Sequence, residues 1–141
     1  MEKLEGKAAA ITGGGTGIGK STATLFAREG ARIAIIDWSE KAGKDTATEI
    51  NKLGGEADFI DANVSEPHEI EKAIGEAARK LAALHILHCN AGGPSARDST
   101  ATDLPIDEWW RTIKVDLLVH SLAADLGSLC LRNLVADPSL T

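Results

Sequence analysis

A glycine-rich segment near the start of the chain has the composition of a phosphate-binding loop. Residues 13–19, "GGGTGIG", hold five glycines in seven positions, between an apolar run and a helix-like stretch. Glycine permits a tight turn and a close approach of the backbone, so the first amides of the following helix can hold a phosphate. The chemistry that this segment predicts is nucleotide binding, and the open question is which nucleotide.

Two phosphate-binding patterns fit these residues. Residues 14–21 have the GxxxxGK[ST] spacing of a P-loop, in which Lys20 would reach the terminal phosphates and Ser21 would hold magnesium. Residues 13–19 also have the Gly-x3-Gly-x-Gly spacing of a dinucleotide-binding loop, where a pyrophosphate rests on the helix N-terminus. Either pattern alone is a weak signal.

An acid follows the next apolar run, "ARIAIID", which ends at Asp37. A carboxylate about twenty residues beyond a dinucleotide loop can accept hydrogen bonds from the adenosine ribose. A P-loop protein also needs an acid after an apolar run, to hold magnesium. Asp37 by itself therefore leaves both interpretations open.

The elements that must position these residues alternate between strand and helix four times. Apolar runs predict strands at 7–11, 31–37, 56–64 and 85–89, and helical spacing predicts helices at 18–29, 40–53, 67–81 and from about 105 to 117. Such alternation predicts an α/β fold, a doubly wound parallel sheet with helices on both faces. In the last helix, an apolar face is predicted at Ile106, Trp110, Ile113 and Leu117.

Composition excludes several classes of protein. The chain has 141 residues, enough for one domain, and its net charge of −6 with no basic run argues against a nucleic-acid partner. The start "MEKLEGK" has no apolar signal region and no stretch is long enough to cross a membrane, so a cytoplasmic location is expected. Cys89 and Cys130 form no CxxC pair, and no metal site is expected.

Three segments together resemble the short-chain dehydrogenase/reductase family. "TGGGTGIG" at 12–19, "NAG" at 90–92 and "WWRTIKVDL" at 109–117 occur in that family's order and spacing. The resemblance covers about residues 4–117. It implies a Rossmann-type sheet of strand order 3-2-1-4 that stops after about four strands, with a partial NAD(P)-binding domain at 1–117 and a divergent helical tail at 118–141. It also implies hydride transfer between a nicotinamide cofactor and an alcohol or ketone.

The resemblance assigns cofactor binding to the glycine loop and to the ends of the second, third and fourth strands. The residues so assigned are Thr12, Gly13, Gly15, Thr16, Gly17, Ile18, Gly19, Asp37, Trp38, Asn63, Val64, Asn90, Ala91 and Gly92.

The resemblance also gives some of these residues separate roles. Asn63 would take the adenine amino group through its carbonyl oxygen, or Asp61 would do so in a shifted register. Asn90 would brace the sheet, and Cys89 replaces the first asparagine of the family's NNAG.

The same resemblance favours NAD over NADP. Asp37 stands where it would bind both ribose hydroxyls and repel a 2′-phosphate. Thr16 occupies a position at which NADP-dependent relatives commonly carry arginine. Lys20 is the counter-evidence, one residue past the loop.

The catalytic residues of the family are missing from the sequence. The family uses a YxxxK pair and a serine, whereas this chain contains no tyrosine and stops before the serine strand is due. Asp116 replaces the asparagine that holds a water of the proton relay and is assigned a weakened relay role. His85 and His88 are expected to be satisfied or neutral core histidines in a covered strand.

Three functions follow from these observations. The first is a short-chain oxidoreductase in a form that lacks the Ser-Tyr-Lys residues, so that whether the chain is itself an enzyme stays open. The second is a non-catalytic NAD-binding module that acts through a partner, and the third is a P-loop nucleotide-binding protein. The strand at 85–89 is expected to be a sheet edge, which the apolar tail or a second chain could cover. A homo-oligomer would form through the last helix, where Trp109 and Trp110 pack either internally or one on the core and one on a partner.

Overall fold

The computed structural model describes residues 3–93, 95–97, 99–100, 102–118, 120–125 and 128. Its centre is a parallel sheet of four strands in the order β3-β2-β1-β4. The strands are β1 (Ala8–Thr12), β2 (Arg32–Asp37), β3 (Glu56–Asp61) and β4 (Ile86–His88). This confirms the α/β fold and the strand order that the sequence predicts.

The helices cover both faces of the sheet. They are α1 (Gly17–Arg28), α2 (Glu40–Lys52), α3 (Pro67–Lys80) and α4 (Ile106–Ile113), and a π-helical turn at Lys114–Leu118 leads into helical residues 120–125. Side chains alternate across each strand, so Ile35 packs with α1 and α2 while the neighbouring Ile36 packs with α3. Both faces are therefore apolar, as expected for a parallel sheet. The predicted helical tail beyond 128 lies outside the described residues.

Two strands end earlier than predicted, because local hydrogen bonds redirect the chain. β3 ends at Asp61 rather than at residue 64, since the Asn63 side chain accepts from the backbone and hydroxyl of Ser65 at 3.1 and 2.7 Å and turns the chain into α3. β4 ends at His88, because the N–H of Asn90 donates to the side-chain hydroxyl of Thr12 at the end of β1 instead of to a strand carbonyl. Side-chain capping of this kind is invisible to hydrophobic periodicity.

The predicted apolar face of α4 is exposed in the described chain. Ile106, Trp110 and Leu117 are 70%, 57% and 64% exposed, and the side chain that α4 buries is Glu108. Trp109 is also about half exposed, so the expectation that at least one tryptophan packs on the core is wrong for the described residues. Periodicity groups these apolar residues on one face, but it does not show whether the described chain buries that face.

β4 is an edge strand, as predicted. Within the described part of the chain it pairs with β1 alone, and its three side chains are only half-buried. Leu87 packs against the core cluster on one face of the sheet and Ile86 against the cluster on the other, so β4 is covered in part on both faces. None of the described helices is both long and apolar enough to span a membrane.

His85 is exposed rather than in the core, but it is hydrogen-bonded. Its Nδ1 accepts from the backbone N–H of Ala8 at 2.9 Å. Partial burial, followed by the charges of Lys7 and Arg32, lowers the pKa of His85 below its ordinary value. His88 is half-buried, and its buried Nε2 has no hydrogen-bond partner among the described residues.

We expect His85 to make the stability of the fold depend on pH. Because its pKa is lower in the folded chain, the unfolded chain binds the proton more readily, so stability is lost as the pH falls below about 6.5. Replacing His85 with Asn puts an oxygen acceptor close to the Nδ1 position and removes the titration. Urea unfolding at about pH 7.5 and about pH 5.5 should then show a smaller loss of stability for His85→Asn than for the wild type.

His68→Asn, on the exposed surface of α3, controls for the loss of one imidazole. If His85→Asn loses as much stability as the wild type over this interval, His85 is not the group responsible.

Candidate functional site

A cleft of about 850 Å³ lies at the carboxyl ends of the strands, where helix α1 begins. Crevices at this end of an open parallel sheet are the usual ligand sites of α/β folds. The predicted cofactor residues that line the cleft are Gly13, Thr16, Gly17, Ile18, Asp37, Trp38, Asn63, Val64, Asn90, Ala91 and Gly92. Thr12, Gly15 and Gly19, also predicted, lie behind its wall.

The glycine loop forms one wall of the cleft and requires glycine at specific points. Gly13 and Gly17 have φ of +65° and +53°, in the left-handed region that other residues rarely adopt. A Cβ on Gly19 would lie 2.1 Å from the carbonyl oxygen of Gly13, so α1 packs directly against the loop. The first N–H of α1 that donates to a carbonyl four residues earlier is that of Lys20, which bonds to the carbonyl of Thr16. The amides before it are left without a helical partner at the cleft, as at any helix N-terminus.

Asp37 is held at the end of β2 by two backbone amides. It is 7% exposed, and its Oδ2 accepts from Gly15 N–H while its Oδ1 accepts from Ser39 N–H, each at 2.9 Å. An ionised carboxylate has about four acceptor positions, so both oxygens keep capacity for a ligand. The carboxylate is thus fixed in orientation and still able to accept further hydrogen bonds.

The segment after β4 is locked to the end of β1. The hydroxyl oxygen of Thr12, which is almost fully buried, accepts from Asn90 N–H at 3.0 Å and from Ala91 N–H at 3.1 Å. The Asn90 side chain donates in return to the carbonyls of Thr12 and Gly13, both at 3.2 Å. Thr12 therefore acts from behind the wall, and Asn90 braces the loop.

The end of β3 brings Asn63 and Val64 to the cleft, whereas Asp61 is exposed outside it. The carboxamide oxygen of Asn63, which was expected to face an adenine, accepts both hydrogen bonds from Ser65. That oxygen is therefore used within the turn.

A polar cluster that the sequence did not reveal closes the far rim of the cleft. Glu108 on α4 is 3% exposed and accepts from Ser95 Oγ at 2.6 Å and from Arg111 Nε at 2.5 Å. The hydrogen bond from Ser95, with that from Arg111, holds the pKa of Glu108 below its ordinary value. Arg111 also donates to the carbonyl of Gly93 at 3.3 Å. Ser95 lies 13 positions before Glu108, and Arg111 follows Glu108 by one helical turn. All three are of common types, so no motif marks them as a cluster.

Other cleft residues missed from the sequence follow recognised motifs directly. Gly93 comes after the NAG segment and Ser65 after Val64, while Ser39 is the N-cap of α2. A search widened by two residues around each motif would have found these three. Val115 lines the cleft from the π-helical turn.

Asp116 lies in that same π-helical turn, and its side chain is exposed beside the rim. Its Oδ1 accepts from Gly93 N–H at 3.3 Å, and a Cβ on Gly92 would lie 2.6 Å from the same oxygen. Asp116 does not line the cleft, and the described residues that do include no tyrosine, lysine or histidine. The relay role assigned to Asp116 stays a prediction.

The P-loop interpretation finds no support in the side chains that it requires. Lys20 Nζ pairs with Glu49 on α2 at 2.7 Å, and Ser21 Oγ donates to the carbonyl of Gly17 at 3.0 Å. Neither residue lines the cleft. The two groups that would hold terminal phosphates and magnesium are engaged elsewhere.

We expect the Thr12 hydroxyl to be needed for the lock between β1 and the segment after β4. Thr12→Val keeps the shape but leaves two N–H groups unpaired, which should lower the free energy of unfolding by about 1–3 kcal/mol. It should also speed amide hydrogen exchange at Asn90 and Ala91. Thr12→Ser, which keeps the hydroxyl, is the matched control and should retain the slow exchange. Equal exchange in the valine and serine variants would show that the hydroxyl does not hold this segment.

Comparisons with known proteins agree with the fold and the motifs. A model of the short chain dehydrogenase family matches residues 7–126. Cyclohexanol dehydrogenase from Acinetobacter sp. (strain SE19) is 40% identical over 115 residues, which cover 82% of this chain and 45% of that protein.

Solved structures are similar over almost the whole chain. A short chain dehydrogenase from Mycobacterium smegmatis superposes with a TM-score of 0.88 at 27% identity, over 94% of this chain and 55% of that one. A 7α-hydroxysteroid dehydrogenase complexed with NADH and 7-oxo glycochenodeoxycholic acid gives a TM-score of 0.86 at 30% identity, over 92% of this chain and 50% of that one. The chain spans about half the length of the relatives it matches. With its glycine loop and strand order in place, this chain belongs to the short chain dehydrogenase family.

Proposed function

We propose that this chain binds NAD and forms the cofactor-binding portion of an oxidoreductase that transfers hydride between NAD and an alcohol or ketone. The observation that carries the proposal is the Asp37 carboxylate, fixed at the wall of the cleft beside the glycine loop. Family membership supports a nicotinamide cofactor, and a structural relative was crystallised with NADH. A curated relative is a cyclohexanol dehydrogenase, which supports an alcohol or ketone as substrate class.

The loop fits the diphosphate of a dinucleotide. A Cβ on Gly13 would lie 2.9 Å from the Cα of Ala91, so the wall admits only backbone at this point. The N-terminus of α1 then offers amides and the positive end of its dipole to a negatively charged group. The glycine loop would hold the diphosphate, and Asp37 would accept hydrogen bonds from the adenosine ribose.

The charges around the cleft support NAD over NADP. A 2′-phosphate would bring negative charge beside the buried Asp37 carboxylate, at a cost that the low local dielectric increases. Lys20, the candidate counter-charge, is paired with Glu49. Thr16 at the cleft carries no charge.

The adenine would lie between the ends of β2 and β3. Val64 offers an apolar surface there, and Trp38, which is 79% exposed at the rim, offers an aromatic face. We assign Asn63 to shaping the turn through Ser65, in place of the adenine contact expected for its oxygen. The partial dinucleotide-binding unit is proposed to occupy residues 1–117, with 118–141 as a divergent helical tail, of which Ala123 is buried in the core cluster that includes α3.

NAD, when bound, supplies the hydride acceptor or donor. The residues of this chain orient it: the glycine loop and Asp37 hold one end, while Asn90, Ala91 and Gly92 line the path toward the rim near Asp116. A proton must also pass to or from the substrate oxygen, and the described residues that line the cleft include no tyrosine, lysine or histidine to exchange it. We therefore propose that the chain alone binds the cofactor without turnover.

A non-catalytic NAD-binding module that acts through a partner is the second candidate. The exposed apolar face of α4, with both tryptophans about half exposed, favours this alternative because large apolar patches mark interaction surfaces. A cytoplasmic location stays a prediction from the sequence.

Cofactor binding can be measured by tryptophan fluorescence during titration with NADH, NADPH and ATP–magnesium. We expect NADH to bind most tightly. Asp37→Asn should weaken NADH binding by roughly tenfold and narrow the preference over NADPH, since it removes the charge that repels a 2′-phosphate.

Asp61→Asn is the matched control, because Asp61 pairs in register with Asp37 at the end of the neighbouring strand but lies outside the cleft. It should leave both affinities unchanged. Tight ATP binding that depends on Lys20 and Ser21 would instead support the P-loop function.

The absence of a proton donor can be tested with the purified chain. The chain is incubated with NAD and cyclohexanol, or with NADH and cyclohexanone. The 340 nm absorbance should then change no faster than it does without the chain. Measurable turnover would show that a side chain of this chain exchanges the proton, and would contradict the binding-module candidate as well.

A further inference from the structure

Thr46 is a buried polar residue that contacts the glycine loop from behind. It lies on α2, is 1% exposed, and its Oγ1 donates to the carbonyl oxygen of Gly15 at 2.9 Å across 31 positions of sequence. It does not line the cleft, and it belongs to none of the motifs of the sequence. Because the hydroxyl is buried, its hydrogen bond holds the Gly15 carbonyl, and with it the backbone of the loop, in a fixed position.

Gly15 is held on both sides of its Cα. Its N–H donates to Asp37 Oδ2 and its carbonyl accepts from Thr46. A Cβ at this position would lie 2.8 Å from the same Asp37 oxygen and 3.0 Å from the Cβ of Ala42. The loop, the carboxylate and α2 are therefore joined at Gly15 by these two hydrogen bonds and by close packing.

Helix α2 reaches the loop because it lies unusually close to the sheet. A Cβ on Gly43 would lie 2.2 Å from the ring of Phe59 on β3, so glycine is required for this approach. At its start, α2 is held by Ser39, whose N–H donates to Asp37 Oδ1. The bonds form a closed ring, which runs from Asp37 through Gly15 and Thr46 along α2 to Ser39 and back to Asp37.

We propose that Thr46 is a positioning residue for nucleotide selectivity, acting on the Asp37 carboxylate through Gly15. This rests on the proposed function, in which Asp37 binds the ribose and repels a 2′-phosphate. Without the Thr46 bond, the Gly15 N–H is free to move and the carboxylate loses one of the two donors that fix its rotation. The ribose hydroxyls of NADH then lose well-directed acceptors on Asp37. The 2′-phosphate of NADPH is repelled less, because the carboxylate can turn away from it. The affinities for the two dinucleotides therefore become more similar.

The test compares Thr46→Val with Thr46→Ser in the complete 141-residue chain. The valine keeps the volume and removes the donor, and the serine keeps the donor. Titration with NADH and NADPH gives the Kd for NADPH divided by the Kd for NADH, which we call the Kd ratio. This ratio should fall about fivefold in Thr46→Val, as expected for the loss of one orienting hydrogen bond. The ratio should return toward the wild-type value in Thr46→Ser.

Ala47→Gly serves as the matched control for destabilisation of α2. Ala47 is the next residue, is buried in the core, and a glycine there weakens the helix without touching the loop. It should leave the Kd ratio unchanged even where it lowers the urea midpoint. A reduced ratio in Ala47→Gly of the same size as in Thr46→Val would overturn the proposal, because general loosening of α2 would then explain it.

The remaining outcomes separate this inference from the proposed function. If the wild-type chain binds NADH with a clear preference over NADPH and Thr46→Val keeps that preference, Thr46 has no positioning role and the proposed function stands. If the wild-type chain binds neither dinucleotide, the proposed function fails, and the selectivity role of Thr46 fails with it.

Discussion

The site depends on one interaction: two backbone amides donate hydrogen bonds to the carboxylate of Asp37 at the end of β2. One amide belongs to the glycine loop and the other to the start of α2, so a single side chain ties together three elements that meet at the cleft. The side chain is buried, and a buried polar group needs hydrogen-bond partners; here the donors are backbone groups whose positions the fold sets.

The opposite wall of the cleft is built by the same means. A buried hydroxyl on Thr12 and the carboxamide of Asn90 exchange hydrogen bonds with backbone groups, so the segment after β4 is fixed to the end of β1. Hydrogen bonds between parts of the chain thus fix the shape of this wall. The glycines contribute by leaving room for backbone to meet backbone, most clearly where α1 contacts Gly13.

Away from the cleft wall, the described chain leaves a strand edge and an apolar helix face exposed. β4 lies at the edge of the sheet, and α4 presents apolar side chains, including Trp110, on its exposed face. The chain covers about half the length of its relatives. The glycine loop, Asp37 and the segment after β4 all lie on described elements, and the described residues that line the cleft include no tyrosine, lysine or histidine.

The sequence by itself determined the fold class, the strand order implied by the family resemblance, and most residues of the cleft, because the glycine spacing, Asp37 and the NAG segment are local patterns with a direct physical meaning. Only the tertiary structure decided that Thr46 bonds to Gly15, that Glu108 joins Ser95 to Arg111, and that the Asn63 oxygen is used by Ser65. It also decided that the apolar face of α4 is exposed and that Lys20 pairs with Glu49. The physical reason is that periodicity reports which side chains avoid water. The partner of a polar side chain depends instead on local turn geometry, as for Asn63 and Ser65, or on distances between elements remote in sequence, as for Thr46 and Gly15.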